Sequence, residues 1–179
     1  MTRGAVVVAL LLGLAAPGLA ASPPEVERFE KWLNTGLPHA NFKRVEDPER
    51  PGLLYAGRVG EFGTIVRIFV ANGTIVRQKI EVELPSERRD EIALSIIARF
   101  FRDFTGMRRN EEELWQQVQG MRSRIYRSGR KESSVDFLGA RLSLYLDTQP
   151  NYDLIDPERR NWGTLFWRGE AKRLPPRKK

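Results

Sequence analysis

The sequence predicts a single α+β domain in which a largely antiparallel sheet packs on an N-terminal helix and a central helix pair. Three observations carry this prediction. The runs Leu53–Val59, Phe62–Ala71 and Thr74–Leu84 are β-branched, aromatic or alternating, and glycines punctuate them. Two amphipathic helical stripes follow, Ile92 to Phe104 and Leu114 to Ile125. Strand pattern then returns, so helices and strands are segregated rather than interleaved as βαβ units.

Ahead of the domain, Met1-Thr2-Arg3 places one cation before an apolar run from Ala5 to Ala16, and Pro17-Gly18-Leu19-Ala20-Ala21 follows. A basic start, an apolar middle, a helix breaker and small residues form the pattern of a secretory signal peptide over residues 1–20. The apolar run falls short of the roughly 20 residues a membrane span needs, so no transmembrane anchor is expected. The chain has no Cys. That excludes a lipid-modified cysteine at the cut, hence a lipoprotein, and it excludes a disulfide framework. Only seven of the 30 basic residues are Lys, a bias that fits a GC-rich bacterial genome. The expected location is the periplasm or the medium, with residues 21–171 as the domain and 172–179 as a basic disordered tail.

Within the domain, Val26, Phe29, Trp32 and Leu33 line one side of a helix over about residues 24–35. Pro24 suits its first turn and Gly36 its end. Residues 38–52 are rich in proline and read as loop, with a short strand at Phe42–Val45. Asn72-Gly73 between two strand runs is a strong hairpin signal. A two-residue loop would pair Val70 with Ile75 and put Val66 and Ile68 on the charged side of the second arm. A three-residue loop, Ala71-Asn72-Gly73 with a bulge, pairs Val70 with Thr74 and gathers the apolar residues on one face. The three-residue loop is therefore the expectation, and it sets Arg67 opposite Arg77.

Pro85-Ser86 caps the next helix, whose apolar face is Ile92, Ile96, Ile97, Phe100, Phe101 and Phe104, and Gly106 ends it. Asn110 caps the second helix, with Glu111, Glu112 and Glu113 in the first turn, where carboxylates meet the positive dipole end. Its core stripe is Leu114, Val118, Met121 and Ile125. Ser134–Leu138 and Ala140–Leu146 read as one strand kinked at Gly139. Asn151–Arg160 reads as a turn-rich loop and Trp162–Arg168 as a last strand.

Chemistry is sparse. His39 is the single histidine; it reads as an exposed loop imidazole, and neither a His-based metal site nor a Ser-His-Asp nucleophile is supported. No phosphate-cradling glycine loop is present, and no cofactor is expected. Carboxylates are the one catalytic currency, since glycan cleavage needs two about 5–10 Å apart. Glu81 and Glu83, Asp136 and Asp147, and the Asp153, Asp156, Glu158 group each have plainer roles in charge compensation or turns. The chain is therefore read as leaning away from enzymes.

Charge offers a second lead. The formal net charge is +7, with one cluster at Arg122, Arg124, Arg127, Arg130 and Lys131. Such a surface suits an anionic envelope component. An export signal argues against nucleic acid as its partner. Near the C-terminus, Trp162, Phe166 and Trp167 lie among Arg159, Arg160 and Arg168, a make-up common in protein or sugar contacts. The leading expectation is a non-catalytic exported module that binds an envelope protein or an anionic envelope surface. The alternatives are a carboxylate-dependent envelope glycan hydrolase and a periplasmic inhibitor or immunity-type protein.

Overall fold

Alternation of apolar and charged residues along residues 79–84 decides which side of the sheet the helices cover. The computed structural model describes residues 24–47, 52–84, 90–106, 111–147 and 165–175. The expected signal peptide, the expected caps at Pro85-Ser86 and Asn110, the expected 151–160 loop and the last four residues lie outside them. Strands β1 (Ala40–Val45), β2 (Leu53–Val59), β3 (Phe62–Ala71) and β4 (Thr74–Leu84) pair in chain order. Beyond the helices, β5 (Glu132–Phe137), β6 (Ala140–Asp147) and β7 (Leu165–Arg173) complete a sheet ordered β1-β2-β3-β4-β7-β6-β5. Every neighbouring pair is antiparallel.

Helices α1 (Pro24–Thr35), α2 (Asp90–Thr105) and α3 (Glu111–Ser128) pack against this sheet. The α2 helix lies over β4 and β7, α3 over β5 and β6, and α1 over β1 and β4. Facing them, Val66, Ile68, Ile80, Val82, Leu142, Leu144 and Trp167 are fully buried. Each aliphatic side chain of this kind stabilises the fold by about 1.5–3 kcal/mol. From the helices, Leu94, Ile97, Phe100, Phe101, Leu114, Val118 and Met121 complete the layer. Ile92 is a correction: it is 49% exposed and stands outside the apolar face assigned to it.

The β3–β4 hairpin corrects the expected loop. Asn72 and Gly73 both have positive φ, +50° and +73°, the pair of values that a two-residue type I′ turn requires. Val70 pairs with Ile75 as that loop dictates, yet a bulge between Phe69 and Val70 shifts the register so that Phe69 pairs with Arg77. Val76 absorbs the extra position, and the apolar face is restored one step inside the turn. Arg67 therefore lies opposite Lys79, not Arg77.

A second correction concerns residues 132–147. These form two antiparallel strands, not one kinked strand, and they turn through Leu138 and Gly139 at φ +47° and +75°. β7 also runs further than expected, so Lys172 and Arg173 belong to a strand instead of a tail.

The sheet face turned away from the helices carries charge in cross-strand rows. Arg67, Lys79, Glu170, Ser143 and Ser134 stand side by side across five strands. Glu170 accepts from Arg77 at 2.7 Å and lies 3.6 Å from Lys79. Desolvation lowers the pKa of Lys79, and Arg77 and Arg168 add to the fall against the opposing pull of Glu170. Glu81 and Glu83 belong to this face, where Glu81 lies 4.0 Å from Arg168. This matches their expected role in charge compensation.

Candidate functional site

The helix stripe of α1 puts Glu25, Arg28, Phe29 and Trp32 on adjacent turns of one side. They form one wall of a cleft of about 530 Å³. The end of α2 supplies the opposite wall through Arg102, Asp103, Phe104 and Thr105, and the first residue of α3, Glu111, closes one end. Ile75 and Gln78 from β4 and Arg173 from β7 complete the lining. Gly106 makes this wall: its φ of +69° ends α2 in the left-handed cap that glycine favours, with its N–H bonded to the carbonyl of Asp103 at 3.2 Å.

Most charges in the cleft are already engaged. Glu25 accepts from the N–H of Ile75 at 2.8 Å and from Nη2 of Arg173 at 3.0 Å. Arg173 also donates through Nε to the Ile75 carbonyl at 2.9 Å, and its guanidinium lies 5.2 Å from the centre of the Phe104 ring. Arg102 and Glu111 form an ion pair. This pair also lines a second hollow of about 240 Å³ between α2 and α3, with Ser95, Ala98, Leu114 and Trp115. The bridge therefore stands as a bar between two cavities.

Gln78, Arg28 and Asp103 add further polar groups to the lining. Gln78 is 2% exposed and its Oε1 has no hydrogen-bond partner. Asp103 opens to solvent on the cleft wall, within reach of the Arg102 and Arg28 charges. Desolvation by the cleft walls raises its pKa, Glu25 adds to the rise, and Arg102 and Arg28 oppose it. The aromatic wall is the Phe29–Trp32 pair, stacked at 5.5 Å between ring centres, and behind it the core residue Phe100 meets Phe29 edge-on at 6.2 Å.

The basic cluster read from sequence divides. Arg122 donates through Nε to Asp90 at 2.6 Å, and Arg124 to Ser133 Oγ at 2.8 Å. Arg127, Arg130 and Lys131 are exposed around the end of α3. Burial lowers the pKa of Arg122, but the hydrogen bond and charge of Asp90 outweigh it, and the net shift is upward. Asp90 is itself buried. It accepts from the indole of Trp167 on one oxygen and from Arg122 and Tyr126 on the other.

Trp167 is fully buried against the helices, so it belongs to the core and not to a contact surface. Arg168 points the other way, 3.0 Å from Asp147 and with its guanidinium 5.0 Å from the Tyr145 ring centre. Arg159, Arg160 and Trp162 lie outside the described residues. His39 is an exposed turn residue at φ +55°, as expected. Among the described residues no three acidic, His or Cys side chains group as metal ligands, and no helix is long and apolar enough to cross a membrane.

Sequence reading missed the cleft because Glu25, Gln78, Asp103 and Arg173 come from four separate elements. One signal was present: Gln78 interrupts the apolar face of β4 between Val76 and Ile80. No family model, curated protein or solved structure matches this chain.

Proposed function

We propose that this chain is an exported, non-catalytic binding module of the cell envelope and that its ligand seat is the cleft between α1 and the α2–α3 junction. The cleft is the single observation that carries the reading. It joins an aromatic wall to a buried amide oxygen without a hydrogen-bond partner and to an exposed carboxylate. Both oxygens of Glu25 are held by the fold, and Glu111 is held by Arg102. That leaves Asp103 alone where a glycan hydrolase needs two working carboxylates. The pattern of residues 1–20 supports export, and the exposed Arg127, Arg130 and Lys131 support an envelope partner with negative charge.

The reading is tested by capturing envelope components on the immobilised protein and on Arg28→Glu and Asp103→Lys variants. Both substitutions are at solvent-open positions of the cleft wall and leave the core untouched. A component held by the original chain and lost by both variants is expected. Equal capture by all three proteins overturns the cleft as the seat.

One observation favours a second reading, a carboxylate hydrolase of envelope glycans: the acid with the raised pKa, Asp103, lies within electrostatic reach of a second carboxylate, Glu25. Clearing of a peptidoglycan gel that is abolished by Asp103→Asn supports this reading, and intact gels refute it.

A further inference from the structure

The β5–β6 hairpin reverses through Leu138 and Gly139, both in the left-handed region. Turns of this kind favour Asn-Gly or Asp-Gly, because a bulky side chain at positive φ crowds its own backbone. The same sheet uses Asn72-Gly73 at the β3–β4 turn and starts the β2–β3 turn with Gly60 at φ +61°, so unstrained solutions occur elsewhere in this chain. Packing does not account for the leucine either. At 61% exposure Leu138 is the most exposed large apolar side chain among the described residues, whereas its neighbour Phe137 packs against the core. A strained backbone and an exposed apolar side chain coincide in one residue, and backbone strain of this kind is retained where it serves a function.

The surroundings indicate what is contacted. Leu174 bonds through its N–H to the Gly139 carbonyl at 2.9 Å and sits beside the tip. Lys172 and Arg141 are exposed on the neighbouring strands and pair across them. The nearby acid Asp136 is already bound by Arg141 at 2.8 Å. The tip also lies at the cleft end of the sheet, since Ala140 pairs with Arg173.

We propose that the Leu138 tip docks this protein on an anionic phospholipid surface. The leucine enters the boundary between headgroups and acyl chains, and Lys172 meets the phosphates, while Arg141 stays paired with Asp136. The exposed Lys172 beside the tip selects this occupant over an apolar protein pocket, which would not need a cation. The proposal uses a surface separate from the cleft and stands whether or not the cleft binds a ligand.

Co-sedimentation with vesicles tests it, using mixed phosphatidylglycerol and phosphatidylcholine against phosphatidylcholine alone. The purified protein is expected to sediment with the anionic vesicles only, and less as salt rises. Leu138→Asn is expected to melt at a higher temperature than the original chain and to bind about tenfold more weakly, the loss of one leucine from an apolar layer. Lys172→Glu is expected to weaken binding and reduce its salt dependence. Absence of binding to anionic vesicles, or unchanged binding by a folded Leu138→Asn, overturns the proposal. Binding to neutral vesicles of equal strength overturns its electrostatic half.

Discussion

Glu25 and Arg173, 148 residues apart in sequence, meet at 3.0 Å and between them satisfy both backbone groups of Ile75. The last β4–β7 pair is Arg77 with Lys172. Beyond it, a carboxylate and a guanidinium do what a continuing strand would do for β4. This joins the first helix of the domain to its last strand and forms the floor of the cleft.

Glu25→Ala should therefore cost more than the ion pair alone. It leaves the Ile75 N–H without its acceptor, a loss of about 1–3 kcal/mol. Glu25→Gln keeps an acceptor oxygen for the Ile75 N–H and loses the charge together with the bond from Arg173. Arg173 and Glu25 are partly exposed, so that change should cost at most about 1 kcal/mol. Urea denaturation of the two variants checks this order. Equal losses would mean that the charge pair, not the backbone bond, carries the join.

Asp90 has the same logic at the opposite end of α2. It is buried, and three donors from α3 and β7 converge on it. Asp90→Ala strands the indole N–H of Trp167 in the core and leaves Arg122 without its acid, and an expected loss is about 3 kcal/mol. Arg122→Ala removes one partner of three and should cost less. Thermal unfolding compares them directly.

How much of this was legible beforehand depends on where the information sits. The bounds of β2, β3 and β4 follow from alternation, a local signal that the core then enforces. The β5–β6 turn was missed because Leu138 is not a turn former, and only tertiary context puts a leucine at positive φ. The bulge at Val76 was placed at the loop because parity requires one somewhere, and parity does not say where. The cleft was the least legible feature. Its acids and arginines looked like ordinary surface charge until the fold brought residues 25, 78, 103 and 173 together.

Asp103 should leave a signature in the pH dependence of stability. Its pKa is raised in the folded state above the ordinary 3.8. The folded protein therefore binds the proton more tightly than the unfolded chain. The resulting stabilisation is complete below the unfolded pKa and is lost as pH rises through the folded one. At neutral pH the buried-side penalty on the carboxylate is present in full. Asp103→Asn should then raise the melting temperature at pH 7, and the gain should vanish under acid conditions below the ordinary carboxylate range. A gain that persists unchanged into acid would assign the effect to packing and not to charge.

Gly169 tests how closely α2 is seated on the sheet. It stands on β7 between Ile80 and Leu144, and a Cβ there would lie 2.6 Å from Cγ2 of Ile97, 3.1 Å from Ile80 Cγ2 and 3.2 Å from Phe101 Cζ. In an open strand position Gly→Ala stabilises by restricting the unfolded chain. Here the added methyl must push a helix away from the sheet, and overpacking of this kind costs about 1–3 kcal/mol. The nearest atom identifies the remedy. Ile97→Leu removes the branch at Cβ that carries Cγ2 and keeps the volume of the side chain. The double variant should lose less than the sum of the two single ones, with a coupling of about 1 kcal/mol from a double-mutant cycle. Additive losses would show that the backbone of β7, and not the Ile97 methyl, limits the approach of α2.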